Sequence, residues 1–214
     1  MSHCLGDQPD ANARTIDTYD QHALEYIRNS PRSVSGWVKG WLDRAAAGLP
    51  HDARVLELGS GPGQDADYLH SLGYDVWRTD ATPAFVDLLR SKGNDARLLN
   101  AITDDLPPGL DLVIANAVLH HFTRPQAAHV IAKAHAALAP GGRFAFSLRL
   151  GEGEGWSNDK VGAPRFFCYW TSPQIHDVLA QSGFTDIDIQ ENRKPDFSPG
   201  WKDWLHITAR KPTT

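Results

Sequence analysis

The sequence predicts an α/β fold in which helices cover both faces of one mostly parallel sheet. From residue 54 onward, short apolar runs alternate with longer stretches whose apolar residues recur at helical spacing. The first of these runs, residues 54–58, leads directly into alternating glycines at 59, 61 and 63, after which an amphipathic stretch begins. Strand, tight loop and helix in repeated succession are typical of parallel sheets with right-handed crossovers.

Two helices are predicted before this alternation begins. Apolar residues at helical spacing indicate one helix over residues 13–28 and another over residues 33–47. Residues 1–12 are polar, and we expect them to be flexible. We therefore predict one domain over residues 13–211, with a helical cap over residues 13–47.

The elements of the alternating part follow in chain order. The strands are short apolar runs, of which DLVIA at 111–115 is the strongest, and the helices end at glycine or proline, as at Gly73 and at 140–142. A glycine-rich insert at residues 150–170, LGEGEGWSNDKVGAPRFFCYW, is predicted to form a lid. Strands are predicted at 54–58, 75–79, 96–99, 111–115, 143–149, 185–191 and 204–209, and helices at 64–72, 83–91, 125–138 and 172–182.

The composition excludes several classes of protein. A chain of 214 residues with 41% hydrophobic and 22% charged residues is typical of one soluble domain. Its net charge of −5 argues against a nucleic acid or an anionic membrane as partner. No signal peptide or membrane-spanning run is apparent, and Cys4 and Cys168 are expected to be free thiols, which predicts a cytoplasmic protein. The ten histidines show no metal-ligand spacing, so no metal site is predicted.

The glycine loop predicts a bound ligand, because glycine lets the backbone approach a ligand that a Cβ atom would repel. Its nature is ambiguous from the loop alone. Gly61, Gly63 and Ala66 fit the G-x-G-x-x-A pattern of dinucleotide sites, and Asp80 follows where such sites place a ribose-binding acid. Glu57, at the end of the preceding strand, would instead suit a ligand with an ammonium group and repel a pyrophosphate.

An ordered series of segments carries a resemblance to a known family. Over residues 15–211 the chain resembles class I S-adenosylmethionine-dependent methyltransferases, most closely the small bacterial enzymes without an accessory domain. This resemblance implies a Rossmann-like, doubly wound sheet of seven strands in the order 3-2-1-4-5-7-6, with strand 7 antiparallel. The segments are VLELGSGPG, DVWRTDATP, LLNAITDDLP, DLVIANAVLHHF, AALAPGGRFAFSLR and SPQIHDVLAQSGF.

The same resemblance implies a set of residues that bind S-adenosylmethionine and its product S-adenosylhomocysteine. The glycine loop would hold the methionine part, with Glu57 near its ammonium group, while Asp80 would accept hydrogen bonds from both ribose hydroxyls. Asn100 stands where the family usually has an aspartate facing the adenine, and an amide oxygen can accept the same bond. The set comprises Glu57, Gly59, Ser60, Gly61, Gly63, Asp80, Ala81, Asn100, Ala101 and Asn116.

Three residues upstream of the loop complete the expected cofactor site. Arg32 is the candidate partner of the cofactor's carboxylate, with Arg28 as the other nearby arginine, because a guanidinium suits a carboxylate. Tyr19 and Tyr26 lie in a segment that folds over the sulfonium in similar enzymes, and aromatic faces attract such a cation. The alternative for both tyrosines is that they simply pack the helix.

The chemistry is expected where the fourth strand ends. His121 is the candidate base or acceptor-orienting residue and His120 the second candidate, although a histidine there can also be structural. The insert is expected to supply aromatic walls and arginines that would hold an anionic acceptor. The alternative is that its aromatic residues belong to the core and its arginines are solvated. The substrate candidates are Arg149, Trp156, Arg165, Phe167 and Tyr169.

These observations favour a methyltransferase that modifies oxygen or nitrogen of a small metabolite, as a monomer or homodimer. A nicotinamide-dependent oxidoreductase is the alternative that the G-x-G-x-x-A pattern leaves open. A catalytically silent cofactor-binding module that acts through a partner is the other alternative. The sequence predicts neither the acceptor nor the atom that is methylated.

Overall fold

A mixed sheet organises the structure, a computed structural model that describes residues 10–193 and 202–214. Nine strands lie in the described part of the chain. They are β1 Val55–Leu58, β2 Val76–Asp80, β3 Ala96–Leu98, β4 Leu110–Ala115, β5 Leu138–Leu150, β6 Glu154–Ser157, β7 Arg165–Trp170, β8 Thr185–Asn192 and β9 Trp204–Arg210.

The order of the main strands confirms the predicted fold. The path runs β3-β2-β1-β4-β5-β9-β8, in which β9 is antiparallel to both β5 and β8. This is the predicted order 3-2-1-4-5-7-6 with an antiparallel strand 7. The other pairings, β1 with β2 and β4, β2 with β3, and β4 with β5, are parallel.

The predicted count of seven strands was too low, because the insert at residues 150–170 contains β6 and β7. These two strands form an antiparallel pair, and β7 continues the sheet beside the end of β5 at Arg149 and Leu150. Phe166, Cys168 and Trp170 alternate along β7 and are buried in the main core. Half of the aromatic run therefore packs the core, as the alternative interpretation held, and the lid role of the insert stays a prediction.

Helices flank the sheet at nearly the predicted positions. The predicted helix over residues 13–28 is divided at His22, whose dihedral angles (φ −117°, ψ 22°) end the first helix. The second predicted helix begins at Gly36, three residues later than expected. The helices are α1 Ala11–Gln21, α2 Ala23–Arg28, α3 Gly36–Ala46, α4 Gln64–Ser71, α5 Pro83–Ser91, α6 Arg124–Ala137 and α7 Ser172–Gln181.

Burial of both sheet faces explains the continuous apolar runs of the strands. Along β4, Leu112 and Ile114 pack on the side of α3 and α4, whereas Val113 and Ala115 pack on the side of α6 and α7. All four residues are fully buried. Each leucine, isoleucine or valine removed from water in this way contributes about 1.5–3 kcal/mol. The two cores fix the sheet rigidly and so fix the loops at its edge.

The carboxyl ends of β1, β2 and β4 meet at one edge of the sheet, where α1 lies across them. Helix α1 is held there by β7 and the residue before it: Thr18 Oγ1 donates to the Pro164 carbonyl at 2.7 Å, and the Phe166 N–H donates to Thr15 Oγ1 at 3.1 Å. Open α/β sheets bind ligands at this edge. Among residues 10–193 and 202–214, no helix combines the length and apolar character that crossing a bilayer requires.

Candidate active site

Two adjoining cavities open at the carboxyl edge of the sheet. The first has a volume of ≈ 100 Å³ and lies between α1 and the ends of β1, β2 and β4. The second has a volume of ≈ 640 Å³ and extends from the glycine loop toward α3, Lys160, Trp204 and His206. The residues that line both cavities are Tyr26, Gly59, Gly61, Asn116 and Ala117.

The structure brings most of the predicted cofactor residues together around these cavities. Ser60 lines the second cavity, whereas Glu57 and Gly63 line neither cavity. Arg32 is also outside both linings, so its role toward a carboxylate stays a prediction. The first cavity is lined by Tyr19, Tyr26, Gly59, Gly61, Asp80, Ala81, Asn100, Ala101, Asn116 and His121 from the predicted sets.

The three glycines of the loop have different structural roles. All three have positive φ, at +69° for Gly59, +50° for Gly61 and +98° for Gly63. A Cβ atom on Gly59 would lie 2.4 Å from Val118 Cγ2, and one on Gly63 would lie 2.7 Å from Leu89 Cδ2. A Cβ atom on Gly61 would meet no described atom within 4 Å. Close packing therefore requires Gly59 and Gly63, whereas Gly61 faces the open cavity.

Asp80 joins the two loops that border the first cavity. Its Oδ2 accepts the Gly61 N–H and its Oδ1 accepts the Thr82 N–H, both at 2.8 Å. The residue is only 6% exposed, and burial raises the pKa of its carboxyl although these bonds oppose the shift. The Thr82 hydroxyl and the Ala81 N–H also act on this carboxyl by hydrogen bonding and oppose the rise of its pKa. Asp80 lines the first cavity, so its carboxylate can act as an acceptor for the hydroxyl groups of a ligand there.

A second acidic group lies beneath the glycine loop. Glu57 is 2% exposed, and its Oε2 has no hydrogen-bond partner among the described residues. Burial first, and the neighbouring Asp65 second, raise the pKa of Glu57 to about 8. Asp65 lines the second cavity, and burial raises its pKa too. Two adjacent acids, one with an orphaned oxygen, suit a ligand cation.

A chain of hydrogen bonds holds Asp65 in place at the cavity wall. Asn116 Nδ2 donates to Asp65 Oδ2 at 2.7 Å, and Ser147 Oγ donates to Asn116 Oδ1 at 2.7 Å. The Ala117 N–H donates to Ser147 Oγ at 2.8 Å. Ala117 has a φ of +58°, which is uncommon for a residue with a side chain and costs about 1–3 kcal/mol. The end of β4 is thus organised around the carboxylate.

The His120–His121 pair lies in the turn after β4, and its geometry defines the tautomer of His121. His121 Nδ1 lies 2.6 Å from the Phe166 carbonyl oxygen, so this nitrogen donates and carries the proton. Its Nε2 then accepts a hydrogen bond from the Tyr19 hydroxyl at 2.8 Å. His120 Nε2 lies 3.1 Å from the same His121 nitrogen. Arg165 Nη1 in turn donates to Tyr19 Oη at 3.0 Å. Tyr19 and His121 line the first cavity, while His120 and Arg165 lie behind them.

Both histidines are neutral at pH 7. Burial lowers the pKa of His121 to about 3, and Arg165 and Arg149 add to the effect despite the bond to Phe166. Burial also lowers the pKa of His120 well below its usual value. A base works best when its pKa lies near the working pH. His121 therefore suits an orienting role better than that of an isolated base.

The predicted substrate residues lie outside the linings of both cavities. Phe167 packs against His121, with ring centroids 4.7 Å apart. Trp156 is 43% exposed and lies under the Arg14 guanidinium, 4.5 Å from its ring centroid. The Tyr169 carbonyl accepts a hydrogen bond from Arg124 at 2.9 Å. Direct contact of Arg149, Trp156, Arg165, Phe167 and Tyr169 with an acceptor stays a prediction.

Sequence reasoning missed several lining residues. Lys160, inside the insert, lines the second cavity, and its ammonium lies 3.7 Å from the Tyr26 ring centroid. The sequence could have indicated Lys160, because it is a charged residue that lies between Trp156 and Arg165, two residues predicted to contact the substrate. The other lining residues were missed because sequence periodicity indicates that a face of a helix or strand is buried, but not that it borders a cavity. These further residues are Asn12, Thr15, Ile16, Phe85, Leu99, Val118, Phe122, Trp37, Asp65, Trp204 and His206.

Within residues 10–193 and 202–214, no group of three or more histidine, cysteine, aspartate or glutamate residues is arranged to hold a metal ion. Cys168 is buried and has a free thiol. Cys4 lies outside the described residues.

Comparisons with known proteins agree with this geometry. A family model described as a methyltransferase domain matches residues 26–189. The chain is also similar to an uncharacterized methyltransferase of Synechocystis sp., with 35% identity over 95 residues. That match covers 43% of this chain and 45% of the relative, so the chain spans less than half the length of the curated protein it matches.

Solved structures share the fold at low sequence identity. The 1,6-didemethyltoxoflavin-N1-methyltransferase of Burkholderia thailandensis has a TM-score of 0.72 and 23% identity, and the similarity covers 96% of this chain and 91% of that one. The magnesium protoporphyrin IX methyltransferase of Synechocystis has a TM-score of 0.73 and 14% identity, covering 96% and 99% of the two chains.

Proposed function

Since the chain belongs to the family of methyltransferase domains, we propose that it transfers a methyl group from S-adenosylmethionine to an oxygen or nitrogen atom of a small metabolite. The observation that carries the proposal is the combination of Asp80 with the acids under the glycine loop. A carboxylate that lines the cavity suits a ribose diol, and the buried Glu57 beside the half-buried Asp65 suits an ammonium. The cofactor carries both groups.

The residues fit the cofactor part by part. Asp80 would hold the ribose, and Ala81, Asn100 and Ala101 would border the adenine in the first cavity. Gly59, Ser60 and Gly61 would cradle the methionine part, for which the open space at Gly61 leaves room. When bound, S-adenosylmethionine supplies a methyl group on a sulfonium that leaves as a neutral thioether. The neighbours in fold are solved with S-adenosylhomocysteine or S-adenosylmethionine, which supports this cofactor.

The chain's own residues would align the reactants and exclude water, which is the main requirement of this displacement. Helix α1 covers the first cavity with Asn12, Thr15 and Ile16. Tyr19 and Tyr26 lie edge to face, with ring centroids 5.2 Å apart, and both line that cavity. His121 accepts the Tyr19 hydroxyl and so fixes the direction in which this oxygen faces the cavity.

Two further features support a small acceptor over a macromolecule. The cavities are bounded by α1, α3 and the insert, and the volume of the larger one, ≈ 640 Å³, is typical of a small-molecule site. The net charge of −5 does not favour a nucleic acid.

The direct test incubates the purified protein with S-adenosylmethionine and a pool of small metabolites. Mass spectrometry should detect S-adenosylhomocysteine together with a species heavier by one methylene unit, and that species names the acceptor. S-adenosylhomocysteine should also raise the melting temperature, whereas nicotinamide dinucleotides should not. If only a nicotinamide dinucleotide raised the melting temperature, the result would favour the oxidoreductase hypothesis instead. Tight binding of S-adenosylhomocysteine without turnover in any pool would favour the silent module.

The loop glycines should separate folding from binding. Both Gly59→Ala and Gly61→Ala force a side chain into positive φ, at a cost of about 1–2 kcal/mol. Gly59→Ala also places a methyl group against Val118, so we expect it to lower the melting temperature further. Gly61→Ala fills the cavity instead and should mainly weaken S-adenosylhomocysteine binding. Calorimetric titration and thermal unfolding measure both effects; equal melting temperatures would contradict this division of roles.

Tyr19 and His121 should act as one unit. Tyr19→Phe and His121→Ala each remove the same hydrogen bond. We expect each to lower kcat/KM for the acceptor roughly tenfold, because a misdirected group costs alignment. Their double variant should be little worse than either single variant. Affinity for S-adenosylhomocysteine should stay within about threefold of wild type.

The pH profile supplies a readout that a merely structural histidine would not change. Because the pKa of His121 is lowered to about 3, the wild-type rate should show no acidic limb near pH 6.5 from this residue. His176→Ala, a change at an exposed histidine on α7, is the control and should leave kcat/KM unchanged. Additive losses together with a limb near pH 6.5 would assign His121 the role of an independent base.

A further inference from the structure

Three cations from different elements meet beside the two cavities. They are Arg149 at the end of β5, Lys160 in the insert and Arg165 at the start of β7, and we call them the cationic cluster. Burial is the main cause that lowers the pKa of Lys160 to about 8, and repulsion by the charges of Arg165 and Arg149 lowers it further. Lys160 is an exposed residue, and its ammonium lies 3.7 Å from the Tyr26 ring centroid.

No carboxylate of residues 10–193 or 202–214 forms an ion pair with the cluster. The nearest acid along the chain is Asp159, whose backbone carbonyl accepts a hydrogen bond from Arg165. The Asp159 carboxylate is paired with Lys202 at 3.0 Å instead. Buried cations are normally paired, as Arg78 is with Asp67 at 2.7 Å. Arg165, the buried member of the cluster, is an exception to this rule.

The cluster also contains donors that the protein leaves unused. Among the described residues, Arg149 Nη1 and Arg165 Nε are buried without a hydrogen-bond partner. Arg165 is only 4% exposed. A buried polar group without a partner costs about 1–3 kcal/mol, and more when it is charged. Such donors persist where a ligand supplies the missing acceptor.

The position of the cluster connects it to the site. Lys160 lines the second cavity directly, and Arg149 lies over the ring of Trp204, another lining residue, at 4.2 Å. Arg165 reaches the first cavity through the Tyr19 hydroxyl. Asp65 lines the glycine-loop side of the second cavity, and Glu57 is its neighbour outside the lining. A ligand in the second cavity would meet the Asp65 carboxylate on one side and the Lys160 ammonium, with Arg149 behind Trp204, on the other.

We propose that the methyl acceptor carries an oxyanion, a phosphate or a carboxylate, and that Lys160, Arg149 and Arg165 bind it. This inference rests on the proposed function, because it names the substrate class of that site. A guanidinium donates two parallel hydrogen bonds to either oxyanion, and the lysine ammonium adds a point charge. The anion would supply the acceptors that Arg149 Nη1 and Arg165 Nε lack.

The test titrates inorganic phosphate, and separately acetate, into protein saturated with S-adenosylhomocysteine, at pH 7 and at an ionic strength held constant with sodium chloride. We expect one or both anions to raise the melting temperature beyond the chloride baseline. Preference for phosphate or for acetate identifies the oxyanion of the acceptor. Lys160→Met should weaken anion binding roughly tenfold, as expected for one charge-assisted hydrogen bond.

Lys39→Met is the matched control. Lys39 also lies over a tyrosine ring, at 5.2 Å from the Tyr68 centroid, but it is paired with Asp43 at 2.9 Å. It should leave anion binding unchanged. Arg149→Met provides a second loss of charge, which should weaken anion binding by a similar factor even if Lys160→Met misfolds.

The outcomes separate this inference from the function on which it rests. If S-adenosylhomocysteine does not bind while phosphate does, the proposed function fails and the anion site stands. If the cofactor product binds but neither anion stabilises the protein, the acceptor proposal is overturned. If Lys160→Met and Arg149→Met weaken S-adenosylhomocysteine itself, the cluster holds the cofactor's own carboxylate, which also overturns it.

Discussion

Replacing Asp80 with alanine is expected to weaken S-adenosylhomocysteine binding by at least two orders of magnitude while the chain still folds. The carboxylate accepts the N–H groups of Gly61 and Thr82 at 2.8 Å, so it fixes both loops around the first cavity. It would also accept the two ribose hydroxyls. Two hydrogen bonds to a charged group are together worth about 3–6 kcal/mol, which is roughly a 10²- to 10⁴-fold change in affinity.

Folding should survive the Asp80→Ala change because its two effects on stability oppose each other. The variant loses two backbone hydrogen bonds, but it also removes a buried carboxyl whose pKa burial raises. We expect the free energy of unfolding to fall by no more than about 3 kcal/mol. Calorimetric titration with S-adenosylhomocysteine and thermal unfolding by circular dichroism measure the two quantities.

Asp20→Ala is the matched control for Asp80→Ala. Asp20 is exposed, and its Oδ1 also accepts a backbone N–H at 2.8 Å, from Ala84 at the start of α5. It lies outside both cavities. The control should lose a little stability and keep the affinity for S-adenosylhomocysteine. A folded Asp80→Ala protein with wild-type affinity would show that the ribose assignment is wrong.

The parts of the site that could be predicted are those whose signal is local in the sequence. Gly59 and Gly61 lie in the loop after β1 and Asp80 is the last residue of β2. The carboxyl ends of parallel strands meet at one edge, so the proximity of these residues follows from the fold. The glycines were also predictable as a class. A backbone with positive φ that also approaches a ligand or another segment closely is formed almost only by glycine. The different roles of Gly59 and Gly61 required the position of Val118, which belongs to another strand's loop.

The partners of the site residues could not be predicted, because periodicity reports which face is buried and not what lies against it. Tyr19 and Arg165 are separated by 146 positions, yet they share a hydrogen bond because α1 packs on β7. The aromatic run after the insert was ambiguous for the same reason. Only the pairing of β7 beside β5 shows that Phe166 enters the core while Phe167 packs on the histidines. The protonation state of His121 could not be predicted either, because its lowered pKa results mainly from burial in the folded structure.

Replacing Glu57 with glutamine is expected to stabilise the free protein and to weaken cofactor binding by one to two orders of magnitude. Burial and Asp65 raise the pKa of Glu57 from its usual value of 4.5 to about 8. The folded state therefore binds a proton that the unfolded state has released between these two pH values. Stability consequently falls as pH rises from about 4.5 to about 8, and the full penalty remains above that range. Glutamine has no such penalty.

The advantage of Glu57→Gln should therefore grow with pH over that window and then level off. Each kcal/mol of relief raises the melting temperature by about 2–4 °C for a chain of this size. Glu152→Gln, a change at an exposed glutamate after β5, should alter neither stability nor binding. The cost of Glu57→Gln appears on binding, because an ammonium loses its charged partner.

An ammonium bound near Glu57 should also lower the pKa of that carboxyl. Wild type should therefore release protons when S-adenosylhomocysteine binds near pH 7. Calorimetric titrations in buffers of different ionisation enthalpy measure this release, which Glu57→Gln should abolish. If the variant gains no stability at pH 8–9 and still binds with wild-type affinity, two assignments are wrong: the penalty for burying the ionised Glu57 carboxyl, and the contact of that carboxyl with the ammonium. If it gains stability but keeps its affinity, Asp65 alone faces the ammonium, and the orphaned oxygen of Glu57 has another explanation.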